Sequence, residues 1–177
     1  MRKIRRALMS VSDKTGLVEL ARVLAGFQCE LISTGRTKSA LEEAGLKVTD
    51  VSSITGDPES FGGRMKTISF EMESALLYDR AKDADEAGRL GIAPIDMVVC
   101  NLYPFGEAAR TGAEVEGLVE NIDIGGPTMI RAGAKNYASV AAVTNTADYP
   151  DRRAELEANG GALSADTRQR LMLTAFN

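Results

Sequence analysis

Short apolar runs alternate with amphipathic stretches through most of the chain. Residues 7–11 have the composition of a strand, residues 12–15 are polar, and residues 16–26 place Leu17, Leu20, Ala21 and Leu24 at helical spacing. A second unit of the same kind follows, with a strand over residues 29–32, a turn over 33–37 and a helix over 38–44 that Gly45 ends. The pattern lapses over residues 51–63, where Ser, Thr, Gly, Asp and Pro predict an ordered loop. It resumes with a helix over 70–90 and a buried strand over 95–100 built on Met97, Val98 and Val99, which Pro104 forbids to continue as a central strand. Helical periodicity at 114–119 and 127–134, a strand at 139–144 and helices at 148–158 and 164–176 complete the pattern, with Ser164 placed to cap the last.

Strands that are apolar throughout, alternating with helices of modest length, predict an α/β fold of three layers: a mostly parallel sheet with helices on both faces. A chain of 177 residues suits one domain, able to bury about 70% of the surface its unfolded form exposes. The last helical pattern runs to Asn177 without a Gly or Pro stop, so a chain cut from a longer one and a chain ending in a helix both remain open.

Composition narrows the chemistry. The net charge of −4 argues against a nucleic-acid partner, which would call for a basic face. No apolar run reaches the roughly 18 residues that a membrane span needs. The cationic N-terminus leads into no signal-type cleavage site, so a cytoplasmic protein is expected. Cys29 and Cys100 lie inside apolar runs without metal-ligand spacing and read as core residues. The chain has no histidine, which removes the commonest general base and the commonest transition-metal ligand. Proton transfer falls to Lys, Tyr, Asp, Glu or water.

The remaining chemistry sits in loops that follow apolar runs, and in a parallel sheet such loops converge on one crevice. Residues 12–15 and 34–37 put hydroxyls and backbone N–H groups at two helix starts, with Lys14 close by. Such ends favour phosphate, although Ser and Thr are also ordinary helix caps. Gly62 and Gly63 precede Arg64 and Lys66, whose spacing in an extended loop would point both cations one way. Asn101 and Tyr103 share that spacing at the mouth of a buried strand. Asp123 stands before Gly125, Gly126 and Pro127, where backbone can approach a ligand as a helix begins.

Taken in order, Ser10-Val-Ser-Asp-Lys-Thr-Gly16, Gly63-Arg-Met-Lys-Thr67, Asn101-Leu-Tyr-Pro-Phe105 and Asn121-Ile-Asp-Ile-Gly-Gly-Pro-Thr128 with Ala134-Lys-Asn136 closely resemble the inosine monophosphate cyclohydrolase domain of bifunctional purine-biosynthesis proteins. The resemblance runs from about residue 7 to residue 149. It implies a methylglyoxal-synthase-like fold, ring closure of 5-formamidoimidazole-4-carboxamide ribotide to inosine monophosphate, no metal or cofactor, and a homodimer. By the same resemblance Ser12, Asp13, Lys14, Thr34, Gly35, Arg36 and Thr37 would hold the ribotide phosphate, and Ser10 is a further substrate-binding residue. Arg64, Met65, Lys66, Thr67, Asn101 and Leu102 would line base and ribose, and Asp123, Ile124 and Gly125 would contact the heterocycle. Lys135 is then the expected proton donor, with Lys66 and Tyr103 stabilising the oxyanion and Asp123 orienting or deprotonating the amide.

Two positions depart from the family pattern. Residues 68–78 read Ile-Ser-Phe-Glu-Met-Glu-Ser-Ala-Leu-Leu-Tyr, without the two histidines usual there, and Arg36 stands where a second glycine is usual. The chain also stops before a transformylase domain would begin, so that second activity is expected to be absent. Two other readings stay open. One is a non-catalytic nucleotide-binding or regulatory domain of this fold, which would need fewer of Lys66, Asn101, Tyr103, Asp123 and Lys135. The other is methylglyoxal synthase, whose usual imidazole this chain cannot supply.

Overall fold

Strands with apolar side chains on both faces need a covering layer on each side. The computed structural model describes residues 1–103, 105–112 and 114–176. It begins with β1 (Arg2–Lys3), β2 (Arg6–Val11), α1 (Leu17–Gly26), β3 (Glu30–Ser33), α2 (Gly35–Glu43), β4 (Val48–Asp50) and α3 (Val51–Thr55). A 3₁₀ turn at Phe61–Gly63 leads to α4 (Phe70–Leu77), α5 (Ala84–Arg89), β5 (Met97–Asn101), α6 (Phe105–Arg110), α7 (Val115–Glu120) and α8 (Gly125–Lys135). The chain closes with β6 (Ala141–Val143), a 3₁₀ turn at Thr146–Asp148, α9 (Tyr149–Ala158), β7 (Ala162–Leu163) and α10 (Ala165–Ala175).

The main sheet has the order β4-β3-β2-β5-β6, and every pairing in it is parallel. Alternation along each strand sorts the core into two layers. Ala7, Met9, Leu31, Val99 and Val143 face Leu20 and Leu24 of α1, Leu41 of α2 and Leu156 of α9. Leu8, Ile32, Val98 and Ala142 face Met72 and Leu76 of α4 and Met129 and Ile130 of α8. α8 comes close to the sheet because Gly133 lacks a side chain: a Cβ there would lie 2.7 Å from Val98 Cγ1. Cys29 and Cys100 are both buried and free, and burial pushes each thiol up to about 12. Away from the sheet, β1 and β7 form a separate antiparallel ribbon. Among the described residues no helix is long and apolar enough to cross a membrane.

Several elements differ from expectation for local reasons. The helix expected over 70–90 breaks after Leu77, where Tyr78 is extended. Asp79 and Asp83 then offer the backbone another set of acceptors, Asp83 taking the Asp79 N–H at 2.8 Å and Asp79 taking the Ala81 N–H at 2.9 Å. The stretch read as a loop from 51 contains α3, capped by Asp50, which accepts from the Ser52 N–H. Strand β4 just before it is too short and too evenly half-buried to show a period. The ribbon and α6 carry no apolar pattern long enough to read. Pro104 and Asn177 lie outside the described residues.

Candidate active site

From β2 the chain winds through β3 to β4 on one side, then returns to place β5 and β6 on the other. The sheet order therefore reverses between β2 and β5, the position at which ligands enter open α/β sheets. The carboxyl ends of β2, β3 and β5 and the first turn of α8 open there onto one cavity of about 590 Å³. Its charged lining is Lys14, Arg36, Arg64 and Lys66 against Glu120 and Asp123, an excess of cations in an acidic chain.

The sheet side of this cavity is tightly bonded. Asn101, the last residue of β5, accepts the N–H groups of Ser12 and Asp13 at 2.8 Å each and donates to the Asp13 carbonyl at 2.8 Å. The buried Thr37 hydroxyl accepts the Val11 N–H at 3.2 Å and donates to its carbonyl at 3.1 Å, which fixes α2 against the end of β2. The hydroxyls of Ser10, Ser12 and Thr34 are different, since among the described residues none has a partner. Ser69 and Ser164 show what capping looks like in this chain, accepting from Met72 and Thr167 N–H groups. Thr34 sits at the same position of α2 without such a bond. The ordinary capping role therefore fails where the hydroxyls face the cavity.

The outer side is built from residues 61–67 and from the segment around α7. Ser60 and Met65 bridge across the 3₁₀ turn, and Arg64 has helical angles, so this stretch is a folded turn and not an extended loop. Its cations diverge accordingly. The Arg64 guanidinium pairs with Glu120 on α7, whereas the Lys66 ammonium lies 3.3 Å from the Glu59 carboxylate. Lys66 runs across two glycines. A Cβ on Gly63, whose φ is +90°, would lie 2.5 Å from Lys66 Cε, and one on Gly35 would lie 3.4 Å from its Nζ. That seat brings the ammonium over the first turn of α2. Asp123, which lines the cavity, accepts the Gly126 N–H at 2.7 Å through Oδ1. Thr67 is buried, its hydroxyl 2.9 Å from where a Cβ of Gly125 would stand. Ile68 lines the cavity, and α4, which Ser69 starts, packs on α8. Residues 67–77 thus support the Asp123 turn from behind.

Of the residues singled out from the sequence, Ser10, Ser12, Lys14, Thr34, Gly35, Arg36, Thr37, Arg64, Lys66, Thr67, Asn101, Tyr103, Asp123, Ile124 and Gly125 line this cavity. Four do not. Asp13 and Leu102 face a separate groove beyond Asn101, together with Thr144 and Asn145. The Asp13 carboxylate takes the hydroxyl and N–H of Thr15, which hold its pKa below the ordinary value. Met65 is exposed and turned away. Lys135 needs a larger correction: the first turn of α8 borders the cavity and Lys135 is its last residue, a separation along the helix of about 15 Å. Its exposed neighbourhood lies at the other end of α8, where Asn136 donates to the carbonyls of Leu76 and Tyr78. Lys135 is thus not among the residues that line this cavity. The lining residues that sequence reasoning missed include Ile68, Val119, Glu120, Ile122 and Met129. The apolar ones carry no chemical signal, and Glu120 joins only through its bond to Arg64.

Comparison with known proteins gives a consistent result. Residues 16–128 match the family described as MGS-like domain, and residues 133–177 match the AICARFT/IMPCHase bienzyme family. Among curated relatives, the bifunctional purine biosynthesis protein PurH of Mesorhizobium japonicum is 53% identical over 98% of this chain and 32% of its own length. PurH of Cereibacter sphaeroides is 52% identical over 97% of this chain and 33% of its own length. The chain thus spans about a third of the length of the curated relatives it matches. The crystal structure of ForH superposes with a TM-score of 0.84 at 32% identity, covering 98% of this chain and 91% of that one.

Proposed function

Because the chain belongs to the MGS-like domain family, we propose that it closes 5-formamidoimidazole-4-carboxamide ribotide to inosine monophosphate with loss of water. One observation carries this reading. The free hydroxyls of Ser10, Ser12 and Thr34, the first turn of α2 and the cations Lys14 and Arg36 are one set of groups on the cavity, Tyr103 and Asp123 are a second, and Lys66 lines the same cavity. A phosphate suits the first set and a heterocycle bearing two reactive groups suits the second.

The two reacting groups share one ring, so holding them in the attacking rotamer supplies much of the catalysis. The carboxamide nitrogen bonds to the formyl carbon, one of its protons passes to the Asp123 carboxylate, and the formyl oxygen becomes an oxyanion. The Lys66 ammonium and the Tyr103 hydroxyl stabilise that charge, and Lys66 protonates it to a carbinolamine. The C–O bond then breaks, the departing hydroxyl takes a proton from the acid that Asp123 has become, and the former formamide nitrogen gives up its own proton to neutral Lys66. Both groups return to their starting states, and one water has left. The same reading carries a purine ribotide as small-molecule partner, a homodimer and a cytoplasmic setting. Ring closure is followed through the ultraviolet change as the purine forms, beside a Lys66→Ala variant. Turnover by the wild type and its loss in the variant support the proposal; a wild type that binds the ribotide and leaves it open overturns it.

A further inference from the structure

The family resemblance puts Asn101 against base and ribose, but its hydrogen bonds lead elsewhere. A carboxamide offers two acceptor sites on oxygen and two N–H donors. Three of these four are spent on one backbone turn: Oδ1 accepts from Ser12 N and Asp13 N, and Nδ2 donates to the Asp13 carbonyl, all at 2.8 Å. The orientation of the amide is fixed by this set, since a flipped group would face two donors with its own donors. The main-chain carbonyl of Asn101 also accepts from Ser12 N, at 3.4 Å. Asn101 stands opposite Val11 in the β2–β5 register, so it reaches across the switch point from one strand to the turn that leaves the other.

That turn has little else to hold it. The Asp13 bonds to Thr15 are internal to it, the Lys14 ammonium reaches only nearby carbonyls at 3.4 Å, and Gly16 ends it with a φ of 71°. Thr37 secures Val11, one residue before it. We infer that Asn101 is a positioning residue: it sets the shape of residues 12–15, through which Ser12 and Lys14 meet the phosphate of the ligand, and it does not act on the reacting atoms. The inference rests on the proposed ribotide site, and it reassigns Asn101 from the groups that meet the heterocycle to those that serve the phosphate.

The test separates the two roles by what each binds. Ribose 5-phosphate carries the phosphate without the base, so its Kd, measured by calorimetry, reads the turn alone, while KM and kcat for the formamido ribotide read the whole site. For Asn101→Ala, the Kd of ribose 5-phosphate and the KM are expected to rise in parallel by about tenfold or more, with a smaller change in kcat. Asn101→Asp keeps the acceptors for both N–H groups but turns an oxygen toward the Asp13 carbonyl, and it should fall between wild type and the alanine variant. If Asn101→Ala does not fold, the nearly isosteric aspartate variant decides by the same criterion. An unchanged Kd for ribose 5-phosphate together with a loss of kcat overturns the inference, because it would place Asn101 at the reacting groups. So does a wild type that fails to bind ribose 5-phosphate. A wild type that binds it but does not close the ring leaves the Asn101 role to be judged on Kd and removes the cyclohydrolase reading.

Discussion

The sheet-side wall of the cavity and its outer wall hold their polar groups by different means. On the sheet side, Asn101 and Thr37 bond directly to the backbone of β2 and the turn after it, and the Ser33 hydroxyl adds a buried bond to the Met9 carbonyl at 2.7 Å. On the outer side, α7 has no buried residue, Phe61 is 80% exposed, and the Arg64–Glu120 pair that spans the mouth is 68% and 63% exposed at its two ends. The Thr37 and Ser33 bonds are buried and shielded from water, whereas exposed ion pairs contribute little and are screened by salt. The sheet-side wall is therefore preorganised by the core, and the outer wall is built from exposed segments with few fixed bonds.

Substitutions that strike one wall alone sharpen this contrast. The largest effect is expected from Gly63→Ala in the outer wall, since its Cβ would stand 2.5 Å from Lys66 Cε at a φ of +90°. Displacing the Lys66 ammonium should lower kcat/KM for the ribotide about a hundredfold, with a modest loss of thermal stability from the strained backbone. A large drop in melting temperature with kinetics preserved would break the comparison. In the layer behind the sheet wall, Gly133→Ala should act in the opposite sense, because its Cβ would lie 2.7 Å from Val98 Cγ1. Overpacking there is expected to cost about 1–3 kcal/mol, a fall in melting temperature of about 2–10 °C, while the folded fraction keeps its kcat.

Acid titration gives a smaller effect confined to the sheet-side turn. The hydroxyl and N–H of Thr15 lower the Asp13 pKa from its ordinary 3.8. Since the folded value is the lower one, the contribution of these bonds is complete above the unfolded value and disappears as pH falls through the folded one. Ribose 5-phosphate affinity of the wild type should therefore drop further below about pH 4 than that of Asp13→Asn. Equal slopes for the two proteins would detach Asp13 from the turn's shape. Smallest of all is Glu120→Gln, which loses only the exposed pair with Arg64. It should shift stability by less than about 1 kcal/mol, and a larger shift would mean that the outer wall is as firmly built as the inner one.

The same division explains what could be read from the chain. Met97, Val98 and Val99 announce a buried strand because both faces of β5 are covered, and Leu17, Leu20, Ala21 and Leu24 announce α1 because that helix buries one stripe. The residues assigned to the phosphate were legible too, since each follows such a run. The outer wall was not. Arg64 and Lys66 look alike at two-residue spacing, and only the folded turn at Phe61–Gly63 sends them to Glu120 and Glu59. Lys135 shows the limit of motif order: it is adjacent in the pattern to Asp123, yet it stands at the far end of α8 from the cavity. Asn101 was found, but its partners are backbone atoms of a turn, which no side-chain pattern reports.

The ribbon of β1 and β7 has a consequence for how the molecule is made. It pairs Arg2 with Leu163 and Lys3 with Ala162, nearly the full length of the chain apart. During synthesis its first strand must wait, unpaired, until β7 has emerged, and closing so long a loop is entropically slow. The ribbon is thus a late step of folding and an early point of fraying, and amide exchange should be faster at Ile4, whose N–H bonds to Gly161 beside it, than along β2.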